Sequence, residues 1–218
     1  MPNPIFANSV VRVGNGRGFI TKSPYRERVV ITAAHCLPEF MAAHPARHEH
    51  ERTYRKLLGP LGAKPTIAVA CAFVDPVADI AILKAVDYEL WPQEQEAFAA
   101  LTDVVRPLKI GKLPFTIGAK TKVWCLSLAG EWIEYRVSQG RPLAPLFVLR
   151  STIEDGMSGS PIVLDDGSAV GVICTGGNLD FHGPNPYLRG SLPGWMLQQP
   201  SRLQTRRSPP PASDLLRD

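Results

Sequence analysis

Short apolar, β-branched runs recur along the chain, separated by glycine, proline and polar residues. They fall at 10–13, 18–22, 28–32, 66–74, 80–84, 122–128, 132–138, 146–151, 161–164 and 169–175. Many short strands punctuated by turn signals predict a sandwich or a barrel. The stretch 132–137, Trp-Ile-Glu-Tyr-Arg-Val, alternates apolar and polar residues as a half-buried strand should. Helical patterning is scarce. It predicts one helix over 38–58, rich in Ala, Glu, His and Arg, and a short second one around 93–101.

Around 102–112 the pattern gives way to a connector containing Pro107 and Gly111. This divides the chain into two halves, 1–105 and 106–200. Beyond Pro200 no apolar period is left, so 201–218 is predicted to be a disordered or extended tail.

Composition narrows the class. Of 218 residues, 44% are hydrophobic and 20% charged, which is globular. The net charge is +4, and the tail supplies half of it, with four arginines against two aspartates. No basic stripe interleaves with aromatics, so a nucleic-acid partner is not expected. The longest apolar run, near 67–74, is too short to span a bilayer, so no membrane association is expected. The opening residues carry no basic segment followed by an apolar one, so no secretory signal is visible. Cys36, Cys71, Cys125 and Cys174 are widely and irregularly spaced, unlike a zinc or redox motif. Reduced, buried thiols in the cytoplasm fit this pattern; the alternative is a secreted protein given without its signal.

Three segments carry candidate chemistry. Thr-Ala-Ala-His-Cys at 32–36 follows an apolar strand, so His35 leaves that strand with small neighbours and room to face a cleft. Asp79 opens the apolar stretch Ile-Ala-Ile-Leu. A carboxylate there is partly buried and needs a hydrogen-bond donor, which an imidazole N–H can supply. The nearby Asp75 precedes Pro76 and reads as a turn residue. Gly-Met-Ser-Gly-Ser-Pro at 156–161 places Ser158 between glycines. Such a turn can expose the hydroxyl and aim successive backbone N–H groups at one point. Each segment alone has a plainer reading: a core histidine, a turn aspartate, a polar surface loop. The serine is inert without a base, so the three make chemical sense only together.

In the order His, Asp, Ser, these segments resemble the trypsin-like (chymotrypsin-fold) serine peptidases. The histidine motif matches letter for letter, the aspartate segment is similar, and the serine motif differs at two places. The resemblance implies an all-β fold of two six-stranded antiparallel β-barrels with the active site in the cleft between them. The half 1–105 would be the barrel holding His35 and Asp79, and 106–200 the barrel holding Ser158. It implies His35 as general base and acid, Asp79 as its orienting carboxylate and Ser158 as nucleophile. The N–H groups of Gly156 and Ser158 would form the oxyanion hole. Thr152, Cys174, Thr175 and Gly176 would bind substrate, an extended peptide pairing along the strand that ends at Gly176. The implied reaction is hydrolysis of a protein or peptide substrate through an acyl-enzyme, with no cofactor. The chain resembles intracellular bacterial peptidases of this kind, which often cut one dedicated target, and the resemblance implies a protein partner of that sort, such as a defence effector.

The departures from the family pattern shape these expectations. Met157 stands where the digestive enzymes have an aspartate that pairs with a newly cut amino terminus, and no matching start is present. Activation of that kind is therefore not expected. Cys36 has no upstream cysteine to pair with and is expected to be a free thiol. Thr152 at the pocket floor implies a small, apolar or mildly polar residue before the cut, unless Asp180 enters the wall and reverses that preference. His44, His48 and His50 lie on a charged, solvated segment, so no metal is expected. The rival reading is an inactive relative that uses the same fold to bind protein.

Overall fold

A computed structural model of the chain describes residues 2–38, 52–114, 120–138, 147–148, 153–174 and 188–197. Six strands form the first unit: β1 (Val10–Val13), β2 (Gly16–Lys22), β3 (Arg28–Thr32), β4 (Thr53–Pro60), β5 (Ile67–Asp75) and β6 (Ile80–Lys84). They close into an antiparallel barrel in the order β1-β2-β3-β6-β5-β4. Closure removes the unpaired edges that an open sheet of such apolar strands would present. Val13, Phe19, Ile31, Leu58, Ile82 and Leu83 of its strands are all essentially inaccessible to solvent and belong to one core cluster. Helix α1 (Pro92–Asp103) follows the barrel and packs on β5.

The second unit contains β7 (Lys120–Leu126), β8 (Trp132–Ser138), β9 (Phe147–Val148), β10 (Pro161–Val163) and β11 (Ala169–Val172). Its described strands form one sheet in the order β11-β10-β7-β8-β9. The period-two alternation of β7 decides what each face meets. Val123 and Cys125 join the second core with Tyr135, Ile162 and Val170. Trp124 and Leu126 face the cluster that is continuous with the first barrel. The all-β class with two β-units is as expected: one barrel of six strands, and a second sheet with five among the described residues. The connector touches both. Leu108 bridges to Thr21 of β2, and Ile110 bridges to Ala169 of β11.

The strand over 53–60 corrects the helix expected over 38–58; the residues from 39 to 51 lie outside the described ones. Lys, Arg and Leu favour helix locally, yet Tyr54, Leu57 and Leu58 bury themselves in the barrel, and β4 supplies the ladder between β1 and β5. Burial and pairing override a weak propensity. The shorter expected helix is present as α1. The 201–218 tail lies outside the described residues.

The two units also meet where the serine loop lies against β2. The Arg17 N–H donates to the Ser158 carbonyl at 2.7 Å. The buried Arg17 guanidinium reaches across and donates from Nη1 to the Leu126 and Ser127 carbonyls, at 2.7 and 3.0 Å. Gly159, at φ +83°, lies so close that a Cβ there would fall on the Arg17 carbonyl oxygen and crowd the Thr32 hydroxyl. Gly159→Ala should therefore cost about 3 kcal/mol or prevent folding, through strain and overlap together. Gly130 has nearly the same φ, +84°, with nothing within 4 Å of an added Cβ. Gly130→Ala should cost only about 1 kcal/mol. Urea denaturation of both variants checks this; equal costs would show that the contact at Gly159 is unimportant.

Candidate active site

His35 sits in a short 3-10 turn, Ala34–Cys36, directly after β3. Asp79 stands just before β6, the neighbour of β3 in the barrel. The ladder therefore carries these two residues, 44 positions apart in sequence, to the same rim. The Asp79 backbone is left-handed, at φ +52°, a conformation that costs a non-glycine residue about 1 kcal/mol. It aims the whole residue at the histidine turn. The Asp79 carbonyl accepts from Ala34 N–H at 3.2 Å, Oδ1 accepts from His35 N–H at 3.0 Å, and Oδ2 contacts His35 Nδ1 at 2.7 Å. An ionised carboxylate can only accept, so Nδ1 carries the proton and a neutral ring leaves Nε2 as the acceptor. Asp75 instead spends its carboxylate on the N–H groups of Val77 and Ala78, as a turn residue does.

Ser158 and Gly156 share a cleft of about 610 Å³ with His35, Cys36 and the hairpin residues Gly14 and Gly16. The serine loop is pinned on the side of its own unit too. Gly159 N–H donates to the Ile173 carbonyl at 2.6 Å, and Ile173 N–H donates to Ser160 at 2.9 Å. The Ser158 hydroxyl donates to the Cys174 carbonyl at 3.1 Å and not to His35. Gly156 is at φ +92°. Among the described residues no acceptor meets the N–H of Gly156 or of Ser158, so both remain available to an oxyanion. The structure thus brings His35 and Asp79 into direct contact and sets His35 and Ser158 on the walls of one cleft. Thr152, Thr175 and Gly176 lie outside the described residues, as do Asp180, His44, His48 and His50.

Comparison with known proteins identifies the lineage. A family model described as the trypsin-like peptidase domain matches residues 16–172, most of the chain and all three motifs. The chain belongs to the trypsin-like peptidase domain family. Among solved structures, an inactive form of the protease Rv3671c is similar at 20% identity and a TM-score of 0.51, covering 86% of this chain and 90% of that one. An inactive serine-to-alanine variant of Rv3671c from M. tuberculosis H37Rv is similar at 20% identity and a TM-score of 0.53, covering 91% and 93%. At this identity the likeness is one of fold. No curated protein matched the sequence.

Within this trypsin-like domain, burial disfavours the thiolate form of three of the four cysteines. All four cysteines are free. Cys36 borders the cleft, but burial pushes its thiol pKa up, as it does for Cys71. Burial raises Cys125 to about 12. A protonated thiol is a poor nucleophile. Met157, at the position noted as unusual, is 1% exposed and packs into the second core; its sulfur meets the Glu154 N–H at 3.5 Å. An apolar core, not a buried ion pair, therefore holds this side of the loop.

Sequence reasoning missed three contributors to the site. Gly14 and Asn15 form a two-residue hairpin turn with Gly14 at φ +53°, and the Gly-Asn pair was a readable turn signal. Arg17 gave no signal, because an arginine between glycines in an apolar hairpin looks solvent-facing. Arg55 and Lys56 were hidden in the misassigned helix.

The Asp79 hydrogen bond, opposed by partial burial and aided by the carboxylate charge, raises the His35 pKa above its usual 6.5. A raised pKa in the folded state means that this group stabilises the fold at low pH. That stabilisation is lost as pH rises through the folded-state value. NMR titration of the His35 ring should give a midpoint above 6.5, and Asp79→Asn should lower it. An unmoved midpoint would mean the contact is not the cause.

Proposed function

We propose that the protein is a serine endopeptidase with His35, Asp79 and Ser158 as its triad. The observation that carries this reading is the 2.7 Å His35–Asp79 bond at the edge of the cleft that Ser158 lines. In this reading the Ser158 hydroxyl exchanges the Cys174 carbonyl for His35 Nε2, which takes its proton as Oγ attacks the scissile carbonyl. Asp79 holds the tautomer and stabilises the imidazolium. The N–H groups of Gly156 and Ser158 receive the oxyanion. His35 then protonates the departing amine, and water releases the acyl group by the same steps in reverse order.

In the same reading Cys174, Thr175, Gly176 and Thr152 bind the acyl side of the substrate. The halves 1–105 and 106–200 are the two barrels, and the natural substrate is protein, one dedicated target such as a defence effector. Four free thiols favour the cytoplasm of a bacterial cell as its setting. No helix of the described residues is long and apolar enough to cross a membrane.

The second reading, an inactive protein-binding relative, draws on one observation: the Ser158 hydroxyl is bonded to Cys174 and not to His35. Hydrogen bonds of a catalytic site often tighten only with substrate bound. A fluorophosphonate probe separates the two. Stoichiometric labelling that Ser158→Ala abolishes supports the enzyme, and absence of labelling supports the binding module. On a cleaved peptide, Asp79→Asn should lower kcat by about ten-thousand-fold. Because the base must be neutral and its pKa is raised, kcat/KM should fall as pH drops through a midpoint above 6.5. A midpoint below 6.5 would argue against His35 as the base.

A further inference from the structure

We infer that the leaving-group side of the cleft is a cationic subsite, built by Arg55 and Lys56, for peptides carrying Asp or Glu just beyond the scissile bond. The inference rests on the peptidase reading above and names a substrate class for it. Successive residues of a regular strand point to opposite faces, yet Arg55 and Lys56 both border the cleft. A bulge in β4 makes this geometry. Tyr54 pairs with Val69 and Leu58 with Ile67, so Arg55, Lys56 and Leu57 stand opposite Ala68 alone. Lys56 takes the left-handed conformation, at φ +53°. The backbone groups released from the ladder are satisfied elsewhere. Ala68 N–H donates to Glu94 Oε2 at 2.7 Å, and the Leu57 carbonyl accepts from Gly14 N–H at 2.8 Å. A bulge with its polar groups provided for is a built feature that re-aims side chains.

The two cations are presented for use. The Arg55 guanidinium lies 4.9 Å over the Trp91 ring. Stacking employs its face and leaves the N–H edge open to a carboxylate. Among the described residues no carboxylate pairs with Arg55 or Lys56, and none lines the cleft. Glu94, on the helix that packs against β5, is engaged with the Ala68 N–H. A cleft whose formal charges are of one sign concentrates the opposite sign.

The side follows from which elements form the walls. They are the hairpin turn at 14–16, the turn at 35–38 and the bulge, with Gly156 and Ser158 at the end. Neither β11 nor Cys174, where the acyl side is proposed to pair, is among them. A peptide running along β11 up to Ser158 must leave past His35, the group that protonates its new amine, and so toward Arg55 and Lys56.

Peptides sharing one acyl side, with Asp/Glu, Asn/Gln or Lys at the next three positions, test this. The acidic peptide should be favoured in kcat/KM over the neutral one by roughly three- to tenfold, the scale of one or two solvent-facing ion pairs. The preference should shrink between about 0.05 M and about 0.5 M salt. Lys56→Arg should keep it, and Lys56→Glu should invert it toward the Lys peptide. In parallel, fluorescence anisotropy should show that Lys56→Glu weakens binding of the acidic peptide to the Ser158→Ala protein. Fluorophosphonate labelling without any charge preference would overturn the subsite and leave the peptidase reading standing. Absent labelling would overturn the peptidase reading, and the binding comparison then judges the subsite: equal affinity in both proteins would overturn it.

Discussion

The site depends on the anchoring of a short serine loop between two β-units that share no sheet in the described structure. Ser158 is the junction. Its carbonyl accepts the backbone N–H of Arg17, while its hydroxyl and the next residue bond the segment that leaves β11. Arg17 then passes its side chain through the seam to two carbonyls at the end of β7. Burial and the neighbouring Arg12 lower the pKa of that guanidinium, and Glu154 opposes them. An arginine stays charged through such a shift. Carbonyls alone therefore supply its direct described partners, which makes it an oriented clamp more than an ion pair. Gly16 and Gly159 allow this closeness, since a Cβ at either would meet backbone on the opposite side.

The histidine is held by a different device. Asp79 accepts a left-handed backbone, and in return its carbonyl and both carboxylate oxygens reach one turn of three residues. Three contacts fix the ring's position, its tautomer and the direction of its pKa shift together. The imidazole is still about a third exposed, with a side-chain accessibility of 37%, so the side of the ring away from Asp79 stays open to a proton donor. Orientation comes from the buried side, while the open one is left to solvent.

Strain at Lys56 follows the same logic as strain at Asp79. Asp79 contacts a residue that lines the cleft and Lys56 lines it; Asp79 makes its own hydrogen bonds to the histidine turn, and at Lys56 the Ala68 N–H opposite the bulge is taken up by Glu94. The barrel thus uses irregular backbone at its rim and regular strands through its core. This division is expected where a rigid scaffold carries a site on its connections.

Local chemistry was enough to find the three motifs. An alternating or apolar run specifies a strand by period, glycines around a serine specify a tight turn, and a carboxylate at the head of a buried strand requires a donor. The all-β class and the candidacy of His35, Asp79 and Ser158 were legible on those grounds; the two-barrel fold and the grouping of the three residues into one site came from the family resemblance. Strand β4 was not, because its lysine, arginine and leucines favour helix and only pairing with β1 and β5 makes it a strand. Arg17, Arg55 and Lys56 were likewise silent. What they do depends on partners more than one hundred positions away or on a bulge created by barrel closure. Residue type and spacing determine which groups are available; long-range contact alone decides which way a side chain points, because direction is set by register and burial across strands distant in the chain.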